Sequence, residues 1–204
     1  GSFRAQDNRE NPQLHLSLFA PLVRKESGGT AANIAYSLAL LGKPSHVIAS
    51  VGEDGGNNIM RMQELGINTE LIQVVPGSYC PQAYIIRDEE GGQINTFHPG
   101  AMSASGELTH GNIAFDYAIV APDSKEGMLR RVRECKHAGI VTIFDPGQAM
   151  GIFAPEELRE MVVLADITIM NEPEQIQFED MVGEDFVRIS LAHGHTGIVT
   201  LGEK

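Results

Sequence analysis

The chain has 204 residues, of which 42% are hydrophobic and 21% are charged, and this composition excludes a disordered, collagen-like or disulfide-scaffold protein. Its 15 Lys and Arg residues against 27 Asp and Glu residues give a net charge of −12, which disfavours binding to duplex DNA or an anionic membrane through overall charge. Cys80 and Cys135 have neither metal-ligand nor redox-pair spacing. No apolar run approaches the ~18 residues of a membrane span, and we expect a cytoplasmic protein.

Short β-branched runs alternate with longer amphipathic segments along the chain. In chain order, strands are predicted at His46–Val51, Gln82–Arg87, Gln93–His98, Tyr117–Ala121, Ile140–Phe144, Ile167–Met170 and Gly197–Leu201. Helices are predicted at Thr30–Leu41, Asn57–Leu65, Ser124–Ala138, Pro155–Leu164, Glu172–Met181 and Glu184–His193. From Tyr117 onward strands and helices alternate, which predicts an α/β fold with a parallel sheet and crossover helices.

Two of the strand segments interrupt this alternation. Gln82–Arg87 and Gln93–His98 are separated by a turn-rich gap of five residues, which predicts an antiparallel hairpin. We expect this hairpin to form a separate small sheet or flap, to which the alternating segment Leu14–Phe19 adds a further candidate strand. The chain is thereby divided into an α/β core, residues 24–77 and 101–204, and a β lid, residues 12–23 and 78–100.

Polar residues follow the predicted core strands. Four such clusters occur in turn: Pro122-Asp123-Ser124, Asp145-Pro146-Gly147, Asn171-Glu172-Pro173-Glu174, and Thr200 with Gly202. In open α/β sheets, ligands bind outside the carboxyl ends of the strands. Because parallel strands present these ends at one edge, the spacing predicts that the four clusters form a candidate active site there.

Gly28 and Gly29 directly precede the predicted helix that starts at Thr30. The free amide N–H groups and positive dipole end of a helix start favour an acceptor, and Asn33, one turn further on, is placed to hydrogen-bond hydroxyl groups. The alternative is a helix-start turn packed by small residues. The segment matches neither GxGxxG nor GxxxxGK[ST], which disfavours a dinucleotide-dependent oxidoreductase and a P-loop protein.

Several landmarks together resemble the PfkB (ribokinase-like) family of carbohydrate and nucleoside kinases. They are Gly28–Ala35 with Leu41-Gly42, Val51–Gly55 with Leu65-Gly66-Ile67, the NxxE-type run Asn171–Glu174, and the run Val199–Lys204. The segment Thr96–Met102 is most similar to the bacterial adenosine-kinase-like branch. The resemblance covers Leu16 to Lys204 and implies a ribokinase-like three-layer sandwich with a mostly parallel central sheet and a small β-sheet lid.

This resemblance implies ATP- and Mg²⁺-dependent phosphorylation of the ribose 5′-hydroxyl of a nucleoside, adenosine first. It assigns substrate binding to Gly28, Gly29, Asn33 and His98, nucleotide binding to Asn171, Thr200 and Gly202, and the metal–phosphate network, through water, to Glu174. A hinge at Pro99-Gly100 would let the lid close over the substrate. The exposed edge of the lid either is covered or pairs with a second subunit in a homodimer.

Structural alternatives stand beside these assignments. They are an Asn171 that caps the next helix, a Glu174 that is a first-turn dipole partner, a Thr200 and a Gly202 that end a buried strand, and a His98 that is hydrogen-bonded at a bend. Asp145 either faces the nucleotide phosphates or caps a turn.

Two features of the family are not found in the chain. One is the initial strand that ends in an acidic residue for the sugar hydroxyls, and the other is the DTxGAGD-type run that carries the catalytic aspartate, which we expect beyond Lys204. No catalytic residue is therefore assigned within the chain. A PfkB sugar kinase of the ribokinase or fructokinase type and a catalytically incomplete nucleoside- or nucleotide-binding fragment are the alternative functions, and Phe97-His98-Pro99-Gly100 favours the nucleoside.

Overall fold

The computed structural model describes residues 19–111 and 113–202. Its helices and strands are α1 (Thr30–Leu40), β1 (Ala49–Val51), α2 (Gly56–Glu64), β2 (Ile72–Val74), β3 (Gln82–Arg87), β4 (Gln93–His98), β5 (Tyr117–Val120), α3 (Lys125–Ala138), β6 (Val141–Phe144), α4 (Pro155–Leu164), β7 (Ile167–Asn171), α5 (Glu172–Val182), α6 (Phe186–Ala192) and β8 (Thr196–Thr200). Short 3₁₀ helices occupy Glu53–Gly55, Gly100–Glu107 and Gly147–Ile152. Among the described residues, none of the helices combines the length and the apolar character needed to cross a bilayer.

The strands β5 to β8 form one parallel sheet in the order β5-β6-β7-β8. Each connection between neighbouring strands carries at least one helix: α3 follows β5, α4 follows β6, and α5 and α6 follow β7. Parallel neighbours require such crossovers, because a tight turn cannot bring the chain back to the same end of the sheet. The α/β fold with a parallel sheet, predicted from the alternation after Tyr117, is confirmed.

The main core lies between this sheet and the helices. Val120, Phe144 and Met170 point to one face of the sheet and are buried against residues of α3 to α6. Burying a side chain of this size contributes about 1.5–3 kcal/mol. The opposite face carries Ile119 and Ile198, which are 44% and 40% exposed to solvent, so the described residues cover the sheet mainly from one side.

The local sequence explains where the helices of this region begin and end. The Ser124 side chain accepts a hydrogen bond from the Gly127 amide and caps the start of α3, and Ser at this position satisfies an amide that has no partner within the helix. The helix ends at Gly139, whose φ of 69° is a left-handed conformation that favours glycine. For α6, the cap is Asp185, which accepts from the Arg188 amide, and the helix starts two residues later than the predicted Glu184.

A second, smaller unit precedes the main sheet. Here β1 pairs in parallel with β2, and a small core of Ala35, Val47 and Ile67 lies beneath α1. The strand predicted at His46–Val51 is shorter in the structure, because His46 forms only an isolated bridge with Asn68 and the ladder resumes at Ala49. The sequence did not predict β2.

The hairpin of β3 and β4 has the predicted bounds. Its strands pair antiparallel from Gln82 opposite His98 to Arg87 opposite Gln93, which confirms the prediction from the turn-rich gap. Most of the further strand predicted at Leu14–Phe19 lies outside the described residues, as do residues 12–18 of the predicted lid, and Phe19 is not part of a strand. The division into core and lid stays a prediction.

Candidate active site

A cleft of about 290 Å³ lies at the carboxyl ends of β6, β7 and β8. It is lined by Thr30, Pro122, Asp145, Gly147, Gln148, Ile169, Met170, Asn171, Glu174 and Thr200. Each of the four polar clusters that the sequence places after a core strand contributes to this lining. The volume is close to the lower limit of ligand pockets, roughly 300 Å³, and the lining combines apolar walls with convergent polar groups.

The start of α1 faces the same cleft. Thr30, its first residue, lines the cleft directly after Gly28 and Gly29, which are exposed. The φ of Gly29 is +100°, and no described atom lies within 4 Å of the position of an added Cβ, so the backbone conformation rather than crowding favours glycine here. Within the described part of the chain, no side chain caps this helix. The first amide N–H groups of a helix have no partner within the helix, so those of α1 are open to an acceptor from outside it.

Asn171 and Glu174 form a reciprocal cap at the start of α5. The Asn171 Oδ1 atom accepts from the Glu174 amide at 2.8 Å, and the Asn171 amide donates to Glu174 Oε2 at 2.9 Å. The structural alternative for these two residues is thus present in the molecule. Both side chains also line the cleft, and the cap uses one carboxylate oxygen of Glu174, so the cap and a ligand role can coexist.

Asp145 lies half-buried beside Glu174. Burial raises the pKa of its carboxyl group, the negative charge of Glu174 raises it further, and a hydrogen bond from the Gly147 backbone lowers it. Two carboxylates with limited hydration repel each other. A cation bound between them would remove this repulsion.

The turn after β6 brings two walls of the cleft together. Gly147 has a φ of +44°, and a Cβ on this residue would lie 2.8 Å from Cγ of Pro122. The close approach and the left-handed conformation both require glycine. Because Pro122 follows β5 and Gly147 follows β6, this contact packs the ends of the two strands against each other.

Five of the eight predicted site residues are not part of the cleft lining: Gly28 and Gly29, which directly precede Thr30, and Asn33, His98 and Gly202. Asn33 lines a separate groove of about 390 Å³ along α1, which shares Thr30 with the cleft. His98 is exposed at the end of β4, and Gly202 is exposed after β8. The structure thus brings Asn171, Glu174 and Thr200 together and places Gly28 and Gly29 beside them, and the roles of all eight predicted residues stay predictions.

Two polar residues of the cleft were not singled out from the sequence. Thr30 is the first helical residue after the two glycines, and this position was the available signal. Gln148 follows the Asp145-Pro146-Gly147 cluster inside a 3₁₀ helix, and its residue type alone gave no signal.

The donor set of the cleft fits Mg²⁺. It offers the carboxylates of Asp145 and Glu174, the amide of Asn171 and the hydroxyl of Thr200, all hard oxygen ligands. Among residues 19–111 and 113–202, no three His, Cys, Asp or Glu side chains form a group that could hold a metal ion. Mg²⁺ does not need such a group, since it keeps several waters and binds through one or two carboxylates together with substrate phosphates.

The molecule is an α/β protein with a cleft at the carboxyl ends of a parallel sheet and a separate small β hairpin. The family described as pfkB family carbohydrate kinase matches residues 10–204, and the chain belongs to this family. This confirms the resemblance carried by the glycine, VGEDG and NxxE landmarks.

Solved structures confirm the ribokinase-like fold. The structure of Burkholderia thailandensis nucleoside kinase in complex with inosine matches with a TM-score of 0.84 and 36% identity, over 93% of this chain and 62% of that one. The same kinase is known in complex with ADP-inosine.

Curated relatives include both nucleoside and sugar kinases. A nucleoside kinase of Methanocaldococcus jannaschii is 29% identical over 165 residues, which are 80% of this chain and 54% of that protein. Probable fructokinase-6 of Arabidopsis thaliana is 26% identical over 192 residues, which cover 83% of this chain and 50% of the fructokinase. The chain therefore spans only about half of the length of these two relatives.

Proposed function

We propose that the protein containing this chain transfers the terminal phosphoryl group of ATP to the ribose 5′-hydroxyl of an adenosine-like nucleoside. The observation that carries this proposal is the meeting of four strand-end clusters and the start of α1 in one cleft. Phosphoryl transfer depends on positioning and on charge neutralisation more than on covalent chemistry with the protein. A cleft with helix-start amides at one wall and carboxylates at another supplies both.

The nucleotide side of the reaction is assigned to the ends of β7 and β8. Asn171 and Thr200 line the cleft and offer an amide and a hydroxyl to phosphate oxygens, and Gly202 follows at the end of the same edge. The similar structure of Burkholderia thailandensis nucleoside kinase in complex with ADP-inosine supports a nucleotide as the co-substrate.

The metal is assigned to the acidic wall of the cleft. Glu174, acting through water, and Asp145 would hold Mg²⁺ there. When bound, this ion neutralises charge on the phosphates of ATP. The capping box keeps the Glu174 side chain oriented toward the cleft before any ligand arrives.

The nucleoside side is assigned to α1 and the lid. Gly28, Gly29 and Asn33 would bind ribose hydroxyls, with the exposed amide groups at the helix start as donors. His98, at the base of the hairpin, would reach the substrate when the lid bends at Pro99-Gly100. Closure excludes water from the transfer. The aspartate that takes the hydroxyl proton is expected beyond Lys204.

The lid also supports a proposed homodimer. Both faces of the hairpin carry exposed apolar side chains, Tyr84 and Ile86 on one face and Ile85 and Phe97 on the other. If one face covers substrate, the other is available to a second subunit. We place the reaction in the cytoplasm, where ATP is supplied.

The test is a phosphotransfer assay on the protein that contains this chain. It is given ATP and Mg²⁺ with a panel of adenosine, inosine, ribose and fructose, and the products are identified by mass and by comparison with nucleoside 5′-monophosphate standards. Phosphorylation of nucleosides at the 5′ position is the expected result. The fructokinase similarity favours sugar as the second candidate, so transfer to fructose or ribose alone would replace the proposal. Binding of nucleoside without any phosphoryl transfer would show that the protein is a binding module and not a kinase.

A further inference from the structure

The lid hairpin is held at its base rather than along its strands. Tyr84, Ile85 and Phe97 all have more than half of their surface exposed, so the described residues do not pack the hairpin firmly against the core. Its orientation must come from the segments that lead into β3 and out of β4. We call residues 77–81 the first stem and residues 99–107 the second stem.

The first stem lies on the turn that follows β1. The Asp54 carboxylate accepts a hydrogen bond from the Cys80 amide at 2.7 Å, and the Glu53 amide donates to the Ser78 carbonyl at 3.0 Å. A Cβ on Gly52 would collide with the backbone of Tyr79, so only glycine permits this approach.

The two stems are bonded to each other. The Ala101 amide donates to the Tyr79 carbonyl at 2.9 Å, and Gly100, with a φ of +49°, has no room for a side chain against the same carbonyl. A displacement of one stem is therefore transmitted to the other.

The second stem is tied to the core by a buried polar cluster. The Ser105 hydroxyl donates to Asp123 Oδ1 at 2.7 Å, and Arg131 Nη2 donates to the Ser105 carbonyl at 3.0 Å. Arg131 Nη1 lies 3.1 Å from Asp123 Oδ2, which closes a triangle of three residues. Ser105 is completely buried and Arg131 is 9% exposed. A guanidinium remains charged in such a place, and the Asp123 carboxylate compensates for its lost hydration.

The chain makes room for this cluster with a glycine in α3. A Cβ on Gly127 would lie 2.8 Å from the Ser124 hydroxyl and 3.0 Å from the Ser105 hydroxyl, and it would also collide with Arg131. The glycine costs some helix stability, and this cost is consistent with a requirement for the close approach of the stem.

The cluster also reaches the active-site cleft. Asp123 directly follows Pro122, which lines the cleft and packs against the Gly147 turn. One largely buried triangle thus connects the second stem of the lid to the wall of the cleft. Nothing in the nucleotide or nucleoside assignments uses Arg131, Asp123 or Ser105.

We propose that Arg131, together with Asp123 and Ser105, positions the lid over the nucleoside site. Arg131 is a positioning residue, because it acts through the second stem and does not line the cleft. This inference rests on the proposed kinase function for its kinetic consequence, whereas the attachment of the stem can be measured without any activity.

The kinetic test uses the protein that contains this chain and the variants Ser105→Ala, Arg131→Met and Arg131→Lys. In Arg131→Met, the KM for nucleoside is expected to rise about tenfold or more, since a misplacement of about 1 Å at the site costs up to about a hundredfold in rate. The KM for ATP should stay within about twofold of its value in the unmodified protein. Arg131→Lys keeps the charge but not both contacts and should recover part of the loss. Matched controls are Ser103→Ala, an exposed serine of the same stem, and Arg133→Met, which breaks an exposed ion pair on the same helix.

Hydrogen–deuterium exchange supplies the readout that is independent of activity. In Ser105→Ala, the amides of residues 100–107 should exchange faster than in the unmodified protein, with α4 and β7 unchanged. Unchanged exchange in the stem would overturn the proposal, as would an equal rise in both KM values. If Arg131→Met fails to fold, the exchange rates and KM values of Ser105→Ala decide whether the proposal holds. A protein that shows no phosphotransfer at all but a loosened stem in Ser105→Ala would refute the proposed function and leave the attachment of the stem standing.

Discussion

In the four-stranded sheet, Phe144 and Met170 are 0% and 1% exposed, whereas in the lid hairpin Tyr84 and Phe97 are 57% and 56% exposed. Both regions are regular, and both have strand bounds that the sequence predicts closely. They differ in what fixes their position. The sheet is held by apolar burial on one face, while the hairpin is held by a few hydrogen bonds and one buried ion pair at its stems. Substitutions should therefore affect stability in the sheet and orientation in the lid.

The largest expected effect is in the core of the sheet region. Phe178 is completely buried and packs edge-to-face on Phe186 with ring centroids 5.7 Å apart. Phe178→Ala should lower the free energy of unfolding by about 3–5 kcal/mol because it leaves a cavity. Phe97→Ala in the hairpin is the control and should change it by less than about 0.5 kcal/mol. Chemical denaturation measures both, and similar losses in the two variants would contradict the comparison.

The next largest loss of stability is expected at the first stem, where a substitution would disturb a close backbone contact and not a side-chain contact of the core. Gly52→Ala would force the Tyr79 backbone away and should cost about 1–3 kcal/mol, the range of overpacked sites. Gly56→Ala is a matched control, since no described atom lies within 4 Å of its added Cβ, and it should be neutral or stabilising by up to about 1 kcal/mol. A Gly52→Ala protein as stable as Gly56→Ala would show that the stem is loosely held.

Much of this comparison could be predicted from the sequence. The alternation of strands and helices after Tyr117 predicted the parallel sheet, and the turn-rich gap between two β-branched runs predicted the hairpin. A strand as short as Ile72–Val74 was not predicted, since three residues show no usable alternation. The strand at His46 was predicted too long, because a bridge to Asn68 replaces the ladder there.

The candidate site was predictable to the extent that one rule controls it. Carboxyl ends of parallel strands share an edge, so the clusters with Asp145, Asn171 and Thr200 could be expected to meet. The position of a helix face or a lid relative to that edge follows from packing, which spacing does not encode, and so Asn33 and His98 lie outside the cleft. The Ser105–Asp123–Arg131 triangle joins residues 18 and 26 positions apart and left no signal in the pattern.

A smaller effect distinguishes the two roles of Asn171, which are the cap of α5 and the proposed contact with the nucleotide. Asn171→Ala should lose about 1 kcal/mol of stability through the helix cap and should also weaken nucleotide binding about three- to tenfold, the value of one hydrogen bond. Asp185→Ala removes the cap of α6, which lies outside the residues that line the cleft, and should show the first loss without the second. Denaturation and calorimetric titration with ATP and Mg²⁺ measure the two quantities, and equal nucleotide affinity in both variants would leave Asn171 with the structural role alone.

The smallest change in stability is expected for Asp145→Asn, which should stabilise the protein where the other substitutions destabilise it. Burial and the charge of Glu174 raise the pKa of Asp145 in the folded protein, so the folded state holds its proton to a higher pH than the unfolded chain does. Stability therefore falls as the pH rises from the ordinary pKa of an aspartate through the raised one. Asp145→Asn should stabilise the protein at neutral pH, and this gain should vanish in acid, below the ordinary value. Denaturation midpoints across this pH range test the prediction, with Asp180→Asn on exposed surface as the control. A gain in stability that persists in acid would mean that the Asn side chain packs better than the Asp side chain. Charge repulsion would then no longer explain why the cleft favours a cation.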